Sequence, residues 1–139
     1  MSLVSSYHVV VEWGDCDPAE IVFYPNYFSW CDAAFTRLIE TAGWPYARLR
    51  GELGLIGLPL AEASMRFLRP SRFRQTLELR SRVEVWAERR FTVLHQAYRD
   101  DTLLLEGREV RICARPHPED PQRIAAVAVP AEFKEAFEA

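Results

Sequence analysis

The stretch GDCDPAEIVFYPNYFSWCD, residues 14–32, sets an acidic loop directly before an apolar run. Asp15, Asp17 and Pro18 give the loop turn chemistry. Pro25 suits the first turn of a helix, where its missing N–H costs nothing. Phe28, Cys31, Phe35, Leu38, Ile39 and Ala42 then recur at three- and four-residue steps, a helical stripe. Gly43 is the expected stop, and Pro45 follows it. N–H groups at the start of such a helix have no intrahelical partner and carry a partial positive charge. They can hold a developing anion. A carboxylate beside them is what thioester hydrolysis needs: one group attacks or activates water, and the other holds the oxyanion. Taken alone, an Asp-x-Asp-Pro string before a helix also describes a loop that simply caps that helix.

The elements that must position this loop read clearly on either side. Tyr7–Trp13 (YHVVVEW) is rich in β-branched and aromatic residues and predicts a first strand. Residues 45–53 predict a short second helix or an irregular loop. Leu58–Leu68 reads as a strand with polar interruptions. In Thr76–Trp86, Leu77, Leu79, Val83 and Val85 are expected on one face, with Glu78, Arg80, Arg82 and Glu84 on the other. Phe91–Tyr98 and Leu103–Ile112 predict two more strands joined by Asp100-Asp101. Pro116–Pro121 is a proline-rich loop, Arg123–Val129 a last extended segment, and Ala131–Phe137 a short helix. Tyr24, Tyr27, Phe28, Trp30 and Phe35 make the long helix apolar nearly all round, so it must be covered on most sides. An antiparallel sheet wrapped around that helix does so, an α+β layer architecture. This is the hot-dog arrangement, in one domain over residues 1–139. Its open sheet edge implies a homodimer, assembled further as a homotetramer.

Bulk properties remove other classes. The 139 residues are 49% hydrophobic and 27% charged with net charge −3, so no basic field exists to hold nucleic acid. No apolar run approaches a membrane span. The N-terminal segment lacks a basic region followed by a signal-length apolar stretch, and a cytoplasmic location is expected. Cys16, Cys31 and Cys113 form no CxxC and no closed disulfide framework. Cys31 reads as a core side chain, while Cys16 flanks the acidic loop. His8, His95 and His117 have no ligand-like spacing, so no metal site is expected, and His95 reads as a structural histidine inside a strand. No P-loop, GxGxxG or GxSxG occurs.

The longer string resembles the 4-hydroxybenzoyl-CoA thioesterase branch of the hot-dog thioesterases. Asp17, Ile21, Val22, Phe23, Pro25, Asn26 and Tyr27 match its pattern, and Trp13-Gly14-Asp15-Cys16 is similar too. The likeness extends along the chain in length and element order. It implies an acyl-CoA substrate, an aryl-CoA such as 4-hydroxybenzoyl-CoA, and no separate cofactor, because coenzyme A is part of the substrate. It implies that Asp17 is the catalytic carboxylate and that the backbone N–H of Tyr24 polarises the thioester carbonyl; the Tyr24 side chain by itself reads as a core aromatic. It implies that Asp32 meets the substrate's 4-hydroxyl, against the alternative of an exposed Asp32 paired with Arg37. Arg89 and Arg90 match a basic cluster that would hold the CoA phosphates bidentately, against the alternative of a solvated turn. Trp44 is a weaker candidate for contact with the acyl ring or the pantetheine.

One departure stands out: Glu20 occupies the position where the family usually has Gly, a residue that often marks a left-handed backbone. An outward, solvated Glu20 is the favoured reading. An ordinary aspartate titrates near ~3.9, so a catalytic one either attacks the thioester itself or is turned into a base by burial. Short-chain acyl-CoA, acyl carrier protein thioesters and non-catalytic acyl-CoA binding are the alternative functions.

Overall fold

Alternation of apolar and polar residues produces most of the architecture. The computed structural model describes residues 2–138, so Met1 and Ala139 of the expected domain lie outside the described residues. Strand β1 (Ser5–Val10) leads into a 3₁₀ turn (Trp13–Asp15), and the long helix α1 spans Pro25–Thr41. Helix α2 (Tyr46–Leu53) and strands β2 (Leu60–Phe67), β3 (Thr76–Trp86), β4 (Arg90–Arg99), β5 (Thr102–Pro116) and β6 (Ile124–Val127) follow, then helix α3 (Ala131–Glu135). The strands make one antiparallel sheet in the order β1-β3-β4-β5-β2, with β6 paired to β5. No helix among the described residues is long and apolar enough to cross a membrane.

Helix α1 starts at Pro25 and ends before Gly43, whose φ of +86° breaks the helical path at no steric cost. Its buried stripe is Tyr27, Cys31, Ala34, Phe35, Leu38 and Ile39, laid against β1, β3 and β4. Tyr27 is fully inside, whereas Phe28 is half-buried. A second apolar layer of Trp86, Phe91, Phe133 and Phe137 closes the far end, with ring centroids 4.9–6.2 Å apart. Phe91, Phe133 and Phe137 are fully buried, each contributing about 1.5–3 kcal/mol, and the half-buried Trp86 packs against them.

Three expectations are corrected here. β1 stops at Val10, because the Glu12 N–H donates to Asp15 Oδ2 (2.8 Å) and turns the chain; Trp13 is left exposed. Val85 does not share the inner face with Leu77, Leu79 and Val83. A register shift between Val83 and Val85 flips the phase, so Val85 is exposed and Trp86 points into the aromatic layer. Finally, Tyr24 is not covered with the rest of the aromatic set: the aromatic and aliphatic residues of α1 from Tyr27 onward are buried or half-buried, but the approach to the helix is not. Phe23, Tyr24, Phe67 and Leu68 at its start and beside it are exposed, and every residue of β2 except the half-buried Met65 is exposed.

Candidate active site

The acidic loop is held by backbone pairing on both flanks. Cys16 bridges Val22, and Ile21 bridges Arg72 on the β2–β3 connection. Inside that frame the chain makes a tight turn: the Asp17 N–H donates to Ile21 O (2.9 Å) and the Glu20 N–H to Asp17 O (2.8 Å). The turn needs a left-handed residue, and Glu20 supplies it at φ +66°. The favoured reading of Glu20 agrees, since its side chain is exposed and does not line the cavity. Asn26 ties the loop to the helix. Its Nδ2 donates to Asp15 O (2.8 Å), and the same carbonyl accepts the Phe23 N–H (2.8 Å). The motif's asparagine thus positions the acidic loop against the first turn of α1.

A cavity of about 370 Å³ opens at this junction, lined by Asp17, Ile21, Tyr24, Tyr27 and Phe67 together with the segment Leu68–Pro70. Its walls are mostly apolar, as a ligand pocket's are. Asp17 is half-buried; its Oδ1 accepts the Ala19 N–H at 2.8 Å, and Oδ2 has no partner among the described residues. Tyr24 is the residue just before the helix, at φ −56° and ψ −32°. Its N–H has no acceptor among the described residues. The Tyr24 ring is not a core aromatic: it is 58% exposed and stands edge-on to Phe67. Asp17 and Tyr24 are therefore brought together at one cavity.

Asp32, Arg89 and Arg90 are not among the residues lining it. Asp32 lies eight residues beyond Tyr24, about 12 Å further along the helix axis. Its carboxylate is 64% exposed and pairs with Arg111 Nη2 at 2.9 Å. The alternative partner Arg37 instead lies over the Tyr7 ring. Arg89 and Arg90 are exposed at the β3–β4 turn. The cavity adjoins the opposite end of the sheet, where the Leu68 N–H donates to Leu104 O near the start of β5 (2.9 Å). Phe67 pairs with Leu105, which is level with Ala97 on β4, so seven residues of strand separate the cavity from Arg90, roughly 23 Å. Trp44 is buried against Phe133, away from the cavity.

The sequence reading missed two basic features. Arg69 lines the cavity, and Arg72 and Arg74 follow on the same loop, none with an ion-pair partner among the described residues. Three arginines in six residues were the available signal. Arg111 was also missed. It is buried with Glu109, and His95 joins them with both ring nitrogens paired, a satisfied structural histidine as read. The signal lay in phase: Glu109 and Arg111 fall on the same two-residue period as Leu105, Gly107 and Cys113, the inward side of β5. Burial pushes the Glu109 carboxyl upward, but the hydrogen bond from His95 and the Arg111 guanidinium outweigh it and hold it below the usual range. Burial pushes the thiol of Cys31, a core residue as expected, far up.

The sequence profile of the thioesterase-like superfamily matches residues 11–137. The chain is 30% identical over 131 residues to the 4-hydroxybenzoyl-CoA thioesterase of Pseudomonas sp. (strain CBS-3), covering 90% of this chain and 91% of that protein. A crystal structure of a mutant 4-hydroxybenzoyl-CoA thioesterase complexed with 4-hydroxybenzoyl-CoA superposes with a TM-score of 0.88 at 28% identity, covering 96% of this chain and 98% of that one. A gentisyl-coenzyme A thioesterase superposes with a TM-score of 0.80 at 27% identity, covering 97% and 100%. Matched along nearly its whole described length, the chain belongs to the thioesterase-like superfamily, has the hot-dog fold, and is a thioester hydrolase.

Proposed function

We propose that the protein hydrolyses aryl-CoA thioesters, 4-hydroxybenzoyl-CoA first among them, with Asp17 as the catalytic carboxylate and the Tyr24 N–H as the oxyanion donor. One observation carries this reading. Asp17 and Tyr24 line one apolar cavity, and Asp17 Oδ2 and the Tyr24 N–H are both without partners among the described residues. The relatives support the substrate class: one acts on 4-hydroxybenzoyl-CoA and another on gentisyl-CoA, both hydroxyaryl thioesters. The 4-hydroxybenzoyl-CoA complex was obtained on an Asp-to-Asn mutant.

In the proposed reaction the thioester carbonyl oxygen accepts from the Tyr24 N–H at the positive end of α1. Asp17 Oδ2 attacks the carbonyl carbon, the C–S bond breaks, and CoA leaves as its thiolate. Water then hydrolyses the mixed anhydride, returning the Asp17 carboxylate and releasing the aryl acid. A half-exposed aspartate in an open cavity suits direct attack better than the enclosed pocket a carboxylate base requires. The reaction uses no cofactor beyond the CoA of the substrate.

Asp32 is proposed to meet the ring hydroxyl, and Arg89 and Arg90 the CoA phosphates. The roughly 23 Å of strand between that pair and the cavity favours its donation from another protomer. The unpaired outer edge of β2, with Leu60 and Phe67 exposed, supports a homodimer, built further into a homotetramer.

The test is a panel of thioesters assayed by release of free thiol. Hydroxybenzoyl-CoA is expected to have the highest kcat/KM, at least tenfold over short-chain acyl-CoA. A preference for short-chain or carrier-protein thioesters overturns the substrate assignment, and no thiol release from any member reduces the protein to a binding module.

A further inference from the structure

Beneath α1, polar side chains from three adjacent strands form a continuous row that no step of the proposed hydrolysis uses. Ser81 Oγ on β3 lies 2.6 Å from His95 Nδ1 on β4, and His95 Nε2 lies 2.7 Å from Glu109 Oε1 on β5. Arg111 donates from Nε and Nη2 to the two Glu109 oxygens (3.3 and 3.1 Å), and from Nη1 to Leu58 O (2.9 Å). Its guanidinium is stacked 4.0 Å from the Phe35 ring centroid, and Nη2 reaches Asp32 Oδ1. Ser81, His95, Glu109 and Arg111 are all at most 5% exposed, so the row surfaces only at Asp32.

The hydrogen bonds determine the charge of the row. Ionised Glu109 is an acceptor, so the His95 proton sits on Nε2; Nδ1 then accepts from the Ser81 hydroxyl, and the donors of Ser81 and His95 are both used. A second proton on His95 leaves the Ser81 hydroxyl hydrogen without an acceptor among the described residues. With His95 neutral, one guanidinium faces two carboxylates, and the row carries one surplus negative charge. Glu109 is locked between His95 and Arg111, so the surplus is felt at the exposed Asp32, whose Oδ2 has no partner among the described residues.

We propose that this row is a selectivity device: it admits an acyl group ending in an uncharged hydrogen-bond donor and rejects one ending in a carboxylate, with Glu109 as the positioning residue that keeps Asp32 net negative. The inference rests on the reading that Asp32 meets the ring substituent. A hydroxyl donates to Oδ2. A carboxylate meets like charge with no cation to spare, because the Arg111 charge is already shared by Asp32 and Glu109. Arg111 alone, without Glu109, leaves Asp32 neutralised and the discrimination weak.

The experiment compares kcat/KM for 4-hydroxybenzoyl-CoA, benzoyl-CoA and 4-carboxybenzoyl-CoA in wild type, Asp32→Asn and Glu109→Gln proteins. Each ratio is taken within one protein, so a loss of active fraction cancels. Glu109→Gln is expected to raise the carboxybenzoyl-to-hydroxybenzoyl ratio about tenfold or more, the scale of one unit charge acting across a protein surface. An unchanged ratio in Glu109→Gln, alongside an Asp32→Asn that shifts hydroxybenzoyl against benzoyl, overturns the inference and leaves the Asp32 reading standing. An Asp32→Asn that shifts neither ratio removes the Asp32 reading itself. Should Glu109→Gln fail to fold, wild type alone decides. Rejection by an exposed charge is screened by salt, so the carboxybenzoyl-to-hydroxybenzoyl ratio rises with ionic strength; a ratio independent of salt overturns the inference.

Discussion

Replacing Tyr24 by proline tests the oxyanion donor, a backbone group that ordinary side-chain substitutions leave in place. Tyr24 sits at φ −56°, inside the range a proline ring imposes, and its N–H makes no hydrogen bond among the described residues. The position precedes the first helical residue, so no intrahelical bond is lost. Tyr24→Pro therefore deletes the donor at little cost to the helix. The ring that lines the cavity is lost as well, so Tyr24→Ala is the proper reference: it removes the ring and keeps the N–H. One oxyanion donor is worth about 3 kcal/mol in the transition state. At 1.36 kcal/mol per tenfold, that is about 150-fold in kcat between the Ala and Pro variants. The assay is steady-state thiol release from 4-hydroxybenzoyl-CoA, with thermal midpoints confirming that both variants are folded. Equal kcat values for the folded Pro and Ala proteins refute a role for this amide.

Three further outcomes follow from particular residues. Glu20 holds a left-handed backbone with an exposed side chain, so Glu20→Gly is expected to gain up to about 1 kcal/mol in denaturant melts and to leave kcat within about threefold; a large kcat change means the side chain does reach the substrate. Cys31 and Cys113 are buried, with the Cys113 thiol pushed up to about 11, while Cys16 is half-buried. A thiol reagent at pH 8 should titrate one cysteine in the native protein and all three in denaturant, and two or more fast native thiols contradict that packing. The Glu109 carboxyl is held below its unfolded value, so its stabilisation is complete above about pH 4.3 and is lost as pH falls through the lower folded value. Urea midpoints of the wild type should therefore fall more steeply below about pH 4.3 than those of Glu109→Gln, and parallel pH profiles argue against an ionised Glu109.

Local pattern made much of the fold legible. The α1 stripe, Pro25 and Gly43 bracketed a helix found at Pro25–Thr41, and the alternation in Thr76–Trp86 gave β3 to the residue. The acidic loop and helix start met at one cavity because they are adjacent in sequence and tied by Asn26. What failed needed tertiary information. The bulge that exposes Val85 depends on the register of β4, and the partner of Asp32 lies 79 residues away on β5. The exposure of the Tyr24 ring is not legible in the sequence, because aromatic character alone predicts burial, whereas the start of α1 and the β2 edge stay uncovered in one protomer. The resemblance pointed to Arg89 and Arg90 without fixing their distance from the cavity, because a strand's course is invisible until its pairing direction is known.

Thiol release from 4-hydroxybenzoyl-CoA by Asp17→Asn, beside wild type, probes the chemistry at its centre. The substitution keeps the side chain's size and its acceptor for the Ala19 N–H, so the loop should persist and the substrate should still bind. The account predicts a fall in kcat of about 10³-fold or more with binding within a few-fold of wild type. A folded Asp17→Asn protein that turns over at the wild-type rate contradicts it.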